Sequence, residues 1–80
     1  MTDHSETLRD LTLMLIYLTS WREKPEYAPR AWKGYDFGVL DELEEMELVS
    51  GSKRAKSVYM SEEGEQRAKE LLAKYGIDEP

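Results

Sequence analysis

An α+β fold in a single domain spanning residues 1–80 is what this sequence predicts, and three observations carry the expectation. Leu8, Leu11, Leu15 and Leu18 recur at the spacing of one helical face. Asp36 and Ser61 stand as capping residues ahead of two further apolar stripes, and two short β-favouring pieces bracket a polar, basic run. With 40% hydrophobic and 35% charged residues of mixed sign, the composition is that of a small folded domain rather than a disordered acidic tail.

The first helix is expected from about His4 to Trp21, with Asp3, three residues ahead of Glu6, as its N-cap in a variant of the capping box. Leu8, Leu11, Leu15 and Leu18 read as its core face, and Leu13, Ile16 and Tyr17 lie away from that face. A helix apolar on most sides has to be covered on most sides. Either the rest of the chain covers both faces or a second copy covers one, which makes Leu13, Ile16 and Tyr17 the candidate dimer interface.

Residues 22–35 carry Pro25, Pro29 and Gly34 and show no period of 2 or 3.6. They read as a loop with at most one helical turn, Arg30 to Lys33, because proline suits the first helical position and glycine the position past the end. Trp32, Tyr27 and Tyr35 are expected to pin this loop to the core. Asp36 then caps a second helix that runs to about Glu47, with Val39, Leu40, Leu43 and Met46 as its stripe and carboxylates at most other positions. Leu48-Val49 and Ser57 to Met60 form a two-stranded hairpin around a basic tip. Ser61 caps the last helix, and Glu62 and Glu63 sit in its first turn, where the helix dipole favours negative charge. Its apolar side is Ala68, Leu71, Leu72 and Tyr75, and Gly76 ends it in the left-handed conformation, with Ile77 folding back.

Much chemistry is excluded by inventory. The chain has no cysteine and one histidine, His4, so thiol nucleophiles, disulfides and zinc sites lack their groups. The serines at 5, 20, 50, 52, 57 and 61 stand in no nucleophile elbow and beside no general base. The expectation is a protein that is not an enzyme and takes no cofactor. Asp41 and Glu45, four apart on one helical face, are a conceivable pair for a divalent cation, but such sites gather oxygen ligands from several segments, so the face reads as solvated carboxylates and no metal is expected. The apolar stretch Leu11 to Leu18 is too short to span a bilayer and has neither the basic flank nor the cleavage site of a signal peptide. A cytoplasmic location without membrane contact is expected.

The net charge of −6 is distributed unevenly: residues 36–49 carry −6, whereas 21–35 carry +2 and 50–60 carry +3. Basic charge is confined to the proline-containing loop and the hairpin tip. A nucleic acid, if bound, would meet Lys53, Arg54 and Lys56 at the tip, joined by Arg30 and Lys33 where the loop lies beside it. The other reading of the tip is a solvated turn that keeps an edge strand from pairing with other chains.

From Phe37 onward the order helix, Met46-Glu47-Leu48-Val49, basic tip and Tyr59-Met60-Ser61-Glu62-Glu63-Gly64 resembles the second half of a winged-helix domain, most nearly the MarR and PadR regulator families. The resemblance covers about residues 37–76. As a whole, including Arg30-Ala-Trp-Lys-Gly-Tyr-Asp36 and Arg54-Ala-Lys-Ser-Val58, the chain also resembles a family of short bacterial proteins known as a domain of unknown function.

The winged-helix resemblance implies a small winged-helix-like domain, a DNA-associated regulator making phosphate contacts to double-stranded DNA through its wing, and a homodimer formed by terminal helices. Two departures stand beside it. Residues 22–35 leave no room for the full helix that precedes a recognition helix, and the helix in the recognition position carries Asp41, Glu42, Glu44 and Glu45 with no Arg or Lys. A second reading therefore stays open: a protein-interaction or dimerisation module whose acidic helix meets a basic protein surface and which binds no nucleic acid.

Overall fold

Side-chain caps at two helices and a glycine stop at the third helix's end place much of the secondary structure, and one short strand with no local signal completes it. The computed structural model describes residues 4–51 and 54–78. In chain order come α1 (Ser5–Leu18), β1 (Arg30–Trp32), α2 (Phe37–Glu45), β2 (Val49–Ser50), β3 (Ser57–Met60) and α3 (Glu62–Lys74). The architecture is α+β and winged-helix-like, with three helices on one side of a small antiparallel sheet ordered β1-β3-β2.

The capping expectations hold at two helices. Asp36 accepts a hydrogen bond from the Val39 amide at 3.1 Å, and Ser61 Oγ accepts one from the Gly64 amide at 2.9 Å. The expected Asp3 cap lies outside the described residues. At the end of α3, Gly76 has φ 68°; its amide donates to the Ala73 carbonyl, and the Ile77 amide donates to that of Leu72, the paired closure of a Schellman motif. The end of α2 repeats this closure with Glu47 at φ 61° and bonds from Glu47 N to Glu44 O and from Leu48 N to Leu43 O. Here a glutamate occupies the conformation that glycine adopts more readily.

Three expectations are corrected. α1 ends at Leu18, short of Trp21, because Thr19 and Ser20 turn their hydroxyls back onto the carbonyls of Leu15 and Tyr17, and Trp21 instead exchanges both backbone bonds with Arg30 at 2.9 and 3.0 Å. The segment Arg30 to Lys33 forms no helical turn: Arg30–Trp32 is a strand paired with β3 in the register Arg30↔Tyr59, Ala31↔Val58, Trp32↔Ser57. The sheet accordingly has three strands rather than two. Pro29 lies at its edge, where a residue without an N–H is tolerated, and its carbonyl accepts from Met60 N.

The third correction reverses α1. Leu13, Met14 and Ile16 are buried, while Leu8, Leu11 and Leu15 are 52%, 48% and 49% exposed. The core joins Leu13 and Ile16 to Leu40 and Leu43 of α2, Ala68, Leu71 and Leu72 of α3, and Ala31, Val49, Val58 and Met60 from the inner face of the sheet. α1 packs against both other helices. Two neighbours subtend a wider arc than the leucine stripe covers, and they meet the face bearing Leu13 and Ile16. Leu13 and Ile16 therefore lie inside the chain's own core and cannot form an external contact, and Tyr17, partly buried, packs against that core.

Gly64, in the first turn of α3, sets how closely that helix meets the chain leaving α2. A Cβ there would lie 2.0 Å from the Leu48 carbonyl oxygen. The same carbonyl accepts from Ser61 N at 3.0 Å, and Ser61 Oγ donates to the Glu47 carbonyl at 2.7 Å.

Candidate functional site

Pairing of β1 with β3 gathers the basic residues at one end of the sheet. Lys33, the residue after β1, donates its amide to the Lys56 carbonyl at 2.8 Å, so the proline-containing loop does lie beside the hairpin. Lys56 and Arg54 are exposed and Lys33 is half-buried; Lys53 lies outside the described residues. Lys33 also borders a recess of about 260 Å³ with Phe37, Leu40, Asp41 and Glu44 of α2 and with Gly51 and Val58. It thus sits beside carboxylates rather than in an all-basic patch.

Arg30 is placed differently from its sequence-based role. Its side chain is only 26% exposed, with the guanidinium 5.4 Å from the centroid of the Trp21 ring and 5.3 Å from that of Tyr59. It donates to Glu23 at 2.7 Å and to Ser57 Oγ at 2.9 Å. Charge pairing and two aromatic faces hold it as a structural clamp on the outer side of the sheet.

Around this clamp lies a surface that single residues do not announce. Arg30, Trp32, Ser57 and Tyr59 share the outer face by register, and Trp21 joins them through its bridge to Arg30. The Trp21 and Trp32 ring centroids are 5.0 Å apart with planes tilted by 42°. Trp32 is 63% exposed and Tyr59 40%, so neither Trp32 nor Tyr27, itself half-exposed, pins the loop to the core. Only Tyr35 does so, packing partly buried against it. Alternation at Trp32 and Tyr59 was the available signal, but it becomes visible only once β1 is known to be a strand.

Two other surfaces are set by the helices. The outer side of α1 presents Leu8, Leu11 and Leu15, interleaved with Thr12 and bounded by Thr19, with no charged side chain among them. α2 presents Asp41 and Glu45 to solvent, with Glu42 and Glu44 half-buried. Among the described residues, no group of three or more His, Cys, Asp or Glu is placed to hold a metal ion. No described helix is long and apolar enough to cross a membrane.

Comparison with known proteins adds a family without adding an activity. An uncharacterized protein, y4hR, of Sinorhizobium fredii (strain NBRC 101917 / NGR234) is 32% identical over 68 residues, which cover 84% of this chain and 85% of that protein. No solved structure matches. The family model described as "Domain of unknown function (DUF6429)" matches residues 4–78, and with the exception of a few terminal residues the whole chain therefore belongs to that family.

Proposed function

We propose that the domain is a non-enzymatic binding module that self-associates through the outer face of α1. One observation carries this reading: Leu8, Leu11 and Leu15 stand about half-exposed in a row spaced three and four apart, on a face with no charge. This is the seam spacing of two helices packed side by side, and an uncharged stripe is complementary to itself across a two-fold axis. Covering the exposed half of each leucine contributes roughly 1 kcal/mol, and association itself costs several kcal/mol. A dimer that dissociates on dilution is expected, with Leu11→Glu/Leu15→Glu sedimenting as a monomer at all concentrations while still unfolding in one cooperative transition. A wild-type protein that stays monomeric into the millimolar range, or a double variant that still dimerises, overturns the reading.

A second reading, a DNA-associated regulator of the MarR or PadR kind that contacts duplex phosphates through its wing, is favoured by the bond that sets Lys33 beside Lys56. Arg54 and Lys56, with Lys53, would make the contacts, and Arg30 is assigned no part in them. Such contacts position without reading sequence and weaken steeply with salt. Reversing Lys53, Arg54 and Lys56 to Glu is expected to abolish salt-sensitive duplex binding in an anisotropy titration. Binding that survives the triple change eliminates this reading.

A further inference from the structure

Charge in this protein separates by layer. Residues 21–35 and 50–60, which build the sheet and its loops, carry +5, and the three helical segments carry −11. The helices sit on the inner side of the sheet, where Leu40 and Leu43 of α2 meet Val58 and Met60. Of the α2 carboxylates, Asp41 and Glu44 border Lys33 at the edge of the sheet, whereas the outer face that carries Trp32 and Tyr59 lies opposite the side on which Leu40 and Leu43 pack.

That outer face is aromatic and cross-linked by side-chain contacts. Arg30 fills the space between Trp21 and Tyr59, pairs with Glu23 and bonds to Ser57. Trp32 leans on Trp21 and leaves 63% of its surface to solvent. Beside it opens a cleft of about 290 Å³ lined by Thr19, Gly34 and Tyr35, room for a planar ring against the indole. Past the Trp32↔Ser57 end of the ladder, the chain leads directly into the exposed cations Lys56 and Arg54. Exposed rings on a sheet, bordered by cations at one end, suit a strand whose bases are unpaired: bases stack on the rings while phosphates follow the positive charge. A duplex offers no base faces to such a surface. A neutral or basic polypeptide would use the rings without the cations, and an acidic one would lack flat bases to stack at regular spacing.

We infer that the outer face of the sheet binds single-stranded nucleic acid, with Trp32 and Tyr59 as the stacking surface, Arg54 and Lys56 as phosphate contacts and Arg30 as the residue that positions the rings. This rests on the nucleic-acid reading above but requires neither a duplex nor a dimer.

The test is quenching of tryptophan fluorescence by a short oligothymidylate, a short oligouridylate and a mixed-sequence duplex, each titrated at low and moderate salt. Both single strands are expected to bind in preference to the duplex, with affinity falling as salt rises. Trp32→Ala is expected to weaken single-strand binding about 10-fold or more, read by anisotropy of labelled strands, the loss of one stacked base. Trp32→Phe restores most of it. Because Trp32 is largely exposed, retained amide dispersion in a proton–nitrogen correlation spectrum will show that Trp32→Ala folds. Duplex binding as tight as single-strand binding, or a Trp32→Ala variant that binds as wild type, overturns this inference and leaves wing-led duplex contact standing. Binding to none of the three overturns both.

Discussion

Leu13→Glu is expected to leave the chain unfolded, whereas Leu15→Glu, two positions further along the same helix, is expected to fold. Leu13 is 1% exposed and Leu15 is 49% exposed. A glutamate at 13 would enter a core of aliphatic side chains from α1, α2, α3 and the sheet, with no described cation among those neighbours to pair with it. Its ionised form has to be neutralised or dragged to water, and either route exceeds the cost of merely losing the leucine. An uncompensated buried charge costs about 3–5 kcal/mol, against a total stability of roughly 4–12 kcal/mol for a domain of this length. Loss of amide dispersion in a proton–nitrogen correlation spectrum would register the effect. Leu15→Glu, with half of its side chain already in solvent, is expected to cost about 1 kcal/mol and to leave the chain folded. If the two variants behaved alike, the orientation of α1 described above would be wrong.

Gly64→Ala is the second large effect, and its sign is diagnostic. Helix propensity alone predicts that alanine stabilises α3 by about 1 kcal/mol. The added Cβ, however, meets the Leu48 carbonyl oxygen at 2.0 Å and the carbonyl carbon at 3.0 Å. These are backbone atoms, anchored by the bond from Leu48 N to Leu43 O and by the bonds from Ser61 to Leu48 and Glu47, so no flexible side chain can swing clear. The first turn of α3 has to retreat, which loosens both Ser61 bonds and the packing of Ala68 behind them. Overpacking of this kind costs about 1–3 kcal/mol and sometimes more, and the upper end is expected here. Urea denaturation followed at α3 will read it, with Gly34→Ala, where a Cβ meets nothing within 4 Å, as the reference substitution. Stabilisation by Gly64→Ala would show that α3 does not approach Leu48 as closely as described.

The two outcomes bear on function through the same geometry. The contact at Gly64 docks α3 against the turn between α2 and β2, and β2 pairs with β3 in the register Val49↔Met60 and Ser50↔Tyr59. That pairing presents Tyr59 on the outer face beside Arg30. The orientation of α1 likewise leaves Leu8, Leu11 and Leu15 outside, available to a second copy.

By itself the sequence determined the elements whose signals are local: the caps Asp36 and Ser61, the stop at Gly76, the stripes Leu40-Leu43 and Ala68-Leu71-Leu72, and strand Ser57 to Met60. The caps, the stop and the stripes rest on bonds or spacing within a few residues, and the strand on its run of β-favouring side chains, so each signal is carried in the neighbouring text. It also determined that cations cluster in two segments. Only the tertiary structure decided which side of α1 is buried, because Leu8, Leu11, Leu15 and Leu18 are as apolar as Leu13 and Ile16, and two apolar faces on one helix are distinguished only by what packs against them. It alone decided that Arg30–Trp32 is a strand, since Arg30 exchanges its backbone bonds with Trp21 and the register with β3 pairs the segment to residues 25 to 29 positions away. With that strand in place Arg30 moved from a candidate phosphate contact to a clamp, and Trp32 moved from the expected core to the surface. Periodicity reports that a face is apolar, but long-range pairing and packing decide which face meets water.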